Sequence, residues 1–284
     1  MSLPHEDEDA SPPRRRPGER RRFRSVPLRI ILPNLVTLLA LALGLTSIRF
    51  AVEGRYETAV LAIIGAAFLD GVDGRLARAL NGASRFGAEL DSLADFVDFG
   101  VAPALLLYFW SLHEIKSVGW LAVLVFSIAC ALRLARFNVM VDDPDQPAWR
   151  QQFFTGMPAP AGAVVVMLPL YLHLSAFGLP NDRAFAPYEI GFVLFVSVLM
   201  AGRIPHFSGK RLGRVPPQYV AVLLFGIVTL ALLLATFTME MLSVLALLYL
   251  ALIPLAVRRV AQYEARAKPT ILVVETPRPL IDEP

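Results

Sequence analysis

Asp70-Gly71-Val72-Asp73-Gly74-Arg75-Leu76-Ala77-Arg78 is followed, after eight residues, by Gly87-Ala88-Glu89-Leu90-Asp91-Ser92-Leu93-Ala94-Asp95. Apolar segments suited to lipid flank this stretch at 61–69 and 97–110. On insertion scales an aspartate at the centre of a membrane helix costs ~2.5–3.5 kcal/mol, and four together cost on the order of 10 kcal/mol. A chain carries that burden only where cationic charge offsets it, and a divalent metal is the first candidate.

The rest of the chain fits a membrane setting. Of its 284 residues 56% are hydrophobic and the mean hydropathy is +0.56, outside the range of ordinary soluble domains. Apolar runs near the ~20 residues that span a bilayer recur along most of the length. The spacing predicts an all-α integral membrane protein, a bundle of about eight helices over 30–50, 57–80, 89–112, 118–139, 160–176, 188–201, 217–236 and 240–260. They form one membrane domain, 27–261, between two tails, 1–26 and 262–284, that are too polar and proline-rich to fold alone. The single cysteine, Cys130, excludes an intrachain disulfide and reads as a small packing residue.

Charge orients the bundle. Of the 27 lysines and arginines, only Arg49, Arg55, Lys116 and Arg183 fall on one set of alternate connections. The positive-inside rule therefore predicts a multi-pass protein of the cell membrane with both termini in the cytoplasm. It also predicts the aspartates at the cytoplasmic ends of the second and third helices. The arginine-rich N-terminal tail reads as an anchor facing anionic lipid rather than as a nucleic-acid site.

Asp70 and Asp73 are three residues apart and Asp91 and Asp95 four apart, so each pair shares a helix face. Asn81-Gly82-Ala83-Ser84 is a natural turn between them, which lets the two faces converge. Four carboxylates on rigid helices suit oxygen-seeking ions such as Mg²⁺ or Mn²⁺, and two such ions can clamp a phosphoryl displacement. Gly74 and Gly87 leave room for a ligand or a neighbouring backbone, and Ala77 keeps the same surface low. Arg78 offers phosphate a planar, bidentate grip. The competing reading is a buried ion-pair network joining the aspartates to Arg75, Arg78 and Arg85.

Asp70, Asp73, Gly74, Ala77, Arg78, Gly87, Asp91 and Asp95 match all eight positions of a known signature. The chain resembles the CDP-alcohol phosphatidyltransferases. The resemblance implies that family's fold, with Asp70, Asp73 and Asp91 as metal ligands. Asp95 assists them and acts as general base. It also implies attack by an alcohol hydroxyl on the diphosphate of a CDP-lipid, with release of CMP, and a homodimer.

Further matches narrow the acceptor. They are Pro33-Asn34-Leu35-Val36-Thr37, Phe99-Gly100-Val101-Ala102-Pro103, Arg133-Leu134-Ala135-Arg136-Phe137-Asn138, Thr155-Gly156-Met157-Pro158 and Arg203-Ile204-Pro205. These resemble the branch of the family that takes CDP-diacylglycerol as donor and L-serine as acceptor. Arg133 and Arg136 share a face and fit a carboxylate or a lipid phosphate; they equally fit plain membrane anchors or partners for Asp98. Asn34 and Thr37 share a face that fits the nucleotide, and Asn34 fits a helix cap as well. Ser84 and Arg85 reach the donor from the turn, and Lys210 and Arg211 form a basic patch. Asp98 shares the face of Asp91 and Asp95 and fits either a substrate ammonium or Arg133. The alternative acceptors are glycerol 3-phosphate and an inositol phosphate. An ion-coupled transporter is the alternative of a different class, and it calls for carboxylates spread through the bilayer depth.

Overall fold

The acidic stretch folds as two helices joined by a tight turn, and α1 lies along both. The computed structural model describes residues 28–82, 84–141, 153–176, 178, 184–207 and 216–267. The helices are α1 (Leu28–Val52), α2 (Tyr56–Ala79), α3 (Arg85–Asp95), α4 (Ala102–Trp110), α5 (Lys116–Val141), α6 (Ala159–Val166), α7 (Leu168–Leu174), α8 (Ala186–Ala201), α9 (Val220–Thr236) and α10 (Thr238–Ala267). A π-helical turn, Phe96–Val101, joins α3 to α4 in one continuous rod. Two three-residue strands, β1 (Phe153–Thr155) and β2 (Pro205–Phe207), pair antiparallel beside the bundle, where the periodicity anticipates only helices.

The hairpin is built by local chemistry. Asn81 takes a left-handed φ of 49°, the Gly82 N–H donates to the Ala77 carbonyl (2.9 Å) and the Asn81 N–H to that of Arg78 (3.3 Å). This is a Schellman ending, which satisfies the last carbonyls of α2. Ser84 then caps α3, its Oγ accepting from the Gly87 N–H at 3.0 Å. Pro33, inside α1, has no N–H for the carbonyl four residues back, that of Arg29. That freed carbonyl faces Gly82 so closely that a methyl group there would collide with it. Because α1 begins at Leu28, Asn34 lies well inside the helix and is not its cap.

α1 buries Pro33, Thr37, Ala40, Gly44, Ser47 and Ala51, a stripe of small side chains at three- and four-residue spacing. Small residues let membrane helices approach closely, and the contact of α1 with α2 is the most extensive in the bundle. Ser47 adds a hydrogen bond to the Ala59 carbonyl at 2.9 Å. At Gly44 a methyl group would collide with the Asp98 carboxylate and come within 3.2 Å of the Asp98 Cα. Overpacking of this kind costs about 1–3 kcal/mol. Gly44→Ala is thus expected to lower the unfolding midpoint in detergent by roughly 3–8 °C. Gly191→Ala, where the added methyl group meets open space, leaves it unchanged or slightly higher.

Two irregularities have proline as their cause. The predicted third helix stays continuous but widens into the π turn just before Pro103, where the Ala102 N–H reaches back five residues to Val97. The predicted fifth helix breaks at Met167 into α6 and α7, because Pro169 cannot bond the Val165 carbonyl. Gly156, at φ 85°, turns the chain from β1 into α6, and its N–H donates to the Ile204 carbonyl at 2.9 Å.

The core gathers Phe99, Leu106, Phe126, Met157, Tyr171 and Met200 between α4, α5, α6, α7, α8 and the π turn. Four segments are long and apolar enough to cross a bilayer, Leu28–Val52, Arg85–Trp110, Leu112–Met140 and Thr238–Gln262; α8 and α9 are shorter apolar helices. α9 buries none of its residues, and Phe225 is 75% exposed, a surface that suits acyl chains. Among the described residues the chain is an all-α membrane protein apart from one strand pair. Of the expected tails, 1–26 and 268–284 lie outside the described residues, as do Lys210 and Arg211, while 262–267 continue α10.

Candidate active site

Asp70 on α2 and Asp91 and Asp95 on α3 each turn a carboxylate oxygen toward one point, all three within 4.8 Å of one another. At that separation two full negative charges repel by about 3.5 kcal/mol at an effective dielectric constant of ~20. Among the described residues no ion pair to an arginine offsets this repulsion, and the nearest compensating charge is Arg133 of α5, which interacts with Asp95 at longer range. The ion pairs among these residues are Arg49–Glu53, Arg55–Glu53 and His113–Glu114, none involving the aspartates of the hairpin. The ion-pair network drawn from Arg75, Arg78 and Arg85 is therefore not what the fold builds. The donor set instead fits a hard divalent cation. Three carboxylate oxygens within 4.8 Å of one another are close to the spread of oxygens around one such ion.

Asp73 stands apart from this group. It is buried, 4% exposed, and its Oδ2 accepts from the Thr37 hydroxyl of α1 at 2.6 Å. It lies in the wall of a cleft beside the three carboxylates, a cleft that Asp91 also lines. The six residues assigned to the donor, Asn34, Gly74, Ala77, Arg78, Ser84 and Gly87, all line that same cleft. Pro33, Thr37, Gly82 and Ala88 complete it.

The two glycines of the motif act differently. At Gly74 an added methyl group would meet only the tip of Arg78, at 3.8 Å, so the missing side chain opens the cleft itself. At Gly87 it would come within 2.8 Å of Asn34 Oδ1 and 3.1 Å of Ser84 Oγ. There the glycine lets α1 approach α3, and Ser84 both lines the cleft and caps the helix.

The two arginines of α5 also separate. Arg136 donates from Nη1 to the carbonyls of Ala201 (2.8 Å) and Gly202 (3.1 Å), closing the end of α8. Arg133 is buried at 9% exposure, its guanidinium 5.3 Å from the Phe137 ring and close enough to Asp95 and Tyr249 to interact electrostatically with both. The approach of Tyr249 from α10 had no signal in the sequence, where it is one aromatic among many. Asn138 donates to Ser92 Oγ at 2.9 Å, tying α5 to α3. Asp98 is 1% exposed in the π turn, with Oδ1 unpartnered, and no ion pair joins it to Arg133.

Comparison with known proteins converges with this geometry. The chain is 45% identical over 231 residues to a CDP-diacylglycerol–serine O-phosphatidyltransferase of Mycobacterium leprae, covering 80% of this chain and 74% of that one. A protein of the same name from Mycobacterium bovis is 43% identical over 244 residues, 85% of this chain and 82% of its own. One from Helicobacter pylori is 36% identical over 195 residues, 69% of this chain and 79% of its own. The profile of the CDP-alcohol phosphatidyltransferase family matches residues 30–204, which hold α1 to α8, the three-carboxylate group and every residue of the cleft. The chain belongs to the CDP-alcohol phosphatidyltransferase family.

Proposed function

We propose that the protein transfers the phosphatidyl group of CDP-diacylglycerol to the hydroxyl of L-serine, giving phosphatidylserine and CMP, as a step of phospholipid synthesis. The observation that carries the reading is the convergence of Asp70, Asp91 and Asp95 beside a cleft that holds the whole donor-binding set. The relatives named for serine support the choice of acceptor.

In this reading the CDP diphosphate enters the cleft over Gly74 and Ala77. Arg78 grips its oxygens and the Ser84 turn closes the nucleotide side. Asp70, Asp91 and Asp95 hold divalent metal, Mg²⁺ or Mn²⁺, as one ion or two, with Asp73 contributing from the cleft wall. When bound there, such ions neutralise the diphosphate oxygens and make the phosphorus more electrophilic. Asp95 accepts the proton of the serine hydroxyl as its oxygen bonds to the phosphatidyl phosphorus, and the bond to the CMP oxygen breaks. Arg133, buried beside Asp95, receives the serine carboxylate. Arg136, assigned with it to the acceptor, serves the bundle instead through its bonds to α8. The lysine and arginine bias supports a site at the cytoplasmic edge of the membrane, where a lipid headgroup and a water-soluble amino acid meet. The carboxylates crowd one hairpin, which favours an enzyme over an ion path.

The test supplies purified protein with CDP-diacylglycerol and one alcohol at a time. CMP release is expected with serine, and loss of it on chelation with recovery on Mg²⁺ or Mn²⁺. Release with glycerol 3-phosphate or an inositol phosphate but not with serine overturns the choice of acceptor. Full turnover after chelation overturns the metal role.

A further inference from the structure

Asp73 belongs to the acidic motif yet lies outside the group of three converging carboxylates, and one of its oxygens is bonded from a different helix. Thr37 Oγ1 lies 2.6 Å from Asp73 Oδ2 and 3.2 Å from the carbonyl of Pro33. Both neighbours are acceptors and the hydroxyl has one hydrogen. The shorter contact has the length of a charge-assisted O–H···O⁻ bond, so the hydrogen belongs to Asp73.

Both side chains are buried, at 5% and 4% exposure. Threonine is stiff at χ1, and its oxygen sits over the carbonyl one turn back, as threonine in a helix favours. The donor is therefore held on rigid backbone. α1 is itself held to the hairpin at two further points, by Asn34 against Gly87 and by the Arg29 carbonyl against Gly82.

We propose that Thr37 is the positioning residue for Asp73: its hydroxyl ties one carboxylate oxygen and so sets the orientation in which Asp73 meets metal and the donor diphosphate. The proposal rests on the assignment of Asp73 to the metal-binding set. It gives α1 a part in the reaction beyond packing. A carboxylate free to rotate must be ordered each time an ion binds, whereas one already pinned by a buried hydroxyl is pre-organised. In the proposed reaction Thr37 has no assigned contact with a reacting atom and acts through Asp73.

The test is Mn²⁺ binding to the purified full-length protein, followed by electron paramagnetic resonance without substrates, with unfolding midpoints measured in parallel in chelator. Thr37→Val keeps the shape and removes the hydroxyl. It is expected to weaken Mn²⁺ binding roughly tenfold, the size of one hydrogen bond to a charged group. Thr37→Ser, whose hydroxyl is present but less fixed, recovers most of the affinity. In turnover, Thr37→Val shifts the Mn²⁺ dependence and the KM for CDP-diacylglycerol while the KM for serine stays as it was. Unchanged Mn²⁺ affinity in Thr37→Val, with a midpoint lowered in chelator, makes the bond simple helix-to-helix adhesion and overturns the proposal. Asp73→Asn separates the two levels. If it leaves Mn²⁺ binding intact, the assignment of Asp73 to the metal fails. If it weakens binding while Thr37→Val does not, only the role of Thr37 fails.

Discussion

Asp95→Asn is expected to reduce CMP release by about 10³-fold while the protein remains folded. The side chain has two duties in the proposed reaction, and the amide fails at both. As a base, a positioned carboxylate contributes about 10²–10⁴-fold, and an amide nitrogen cannot accept the serine proton. As one of three oxygens converging within 4.8 Å, it also helps to hold the cation, and the neutral amide is the weaker ligand. Comparison with Asp70→Asn separates these duties. Asp70 lies in the same group but on α2, and no proton transfer is assigned to it. Loss of turnover in Asp70→Asn should therefore be partly reversed by raising Mn²⁺, whereas Asp95→Asn stays inactive at saturating metal. The fold should survive either change, because each removes one negative charge from a group that repels itself. Unchanged turnover in Asp95→Asn removes the general-base assignment.

The eight motif positions reveal the hairpin because helix spacing alone places Asp70 beside Asp73 and Asp91 beside Asp95, and Asn81-Gly82 can only be a turn. That much is local. Which of four carboxylates gather is a tertiary matter. Asp73 is bonded by Thr37, 36 residues earlier, and lies outside the converging three, and nothing in the spacing of the motif distinguishes it from Asp70. Gly74 and Gly87 look alike in sequence, yet one opens the cleft and the other admits α1, because their neighbours differ. Pro103 and Pro169 both fall inside helices that the apolar spacing runs straight through, 89–112 and 160–176. The outcomes, a π turn in one case and two short helices in the other, depend on what packs against the freed carbonyls. The strand pair of 153–155 with 205–207 joins segments some 50 residues apart, each too short to carry a period of its own.

The two arginines of α5 divide in the same way, and the division is testable. Spacing puts Arg133 and Arg136 on one face, so they enter the sequence reading as a pair. In the fold Arg136 bonds the last carbonyls of α8, whereas Arg133 is buried beside the proposed base with the Phe137 ring as backing. Arg133→Gln is therefore expected to raise the KM for serine roughly 10²-fold, in line with the 2–5 kcal/mol lost when one partner of a buried charge pair is removed. The KM for CDP-diacylglycerol should barely change. Arg133→Lys restores only part of the affinity, since an ammonium cannot offer a carboxylate two parallel N–H donors. Arg136→Gln should do the reverse, lowering the unfolding midpoint with little effect on the KM for serine. Ethanolamine has the hydroxyl and the ammonium of serine but no carboxylate. If Arg133 reads the carboxylate, the preference for serine over ethanolamine shrinks in Arg133→Gln by the same factor as the serine affinity. A rise in the KM for CDP-diacylglycerol instead, with serine unaffected, would assign Arg133 to the lipid phosphate and leave the recognition of serine to other residues.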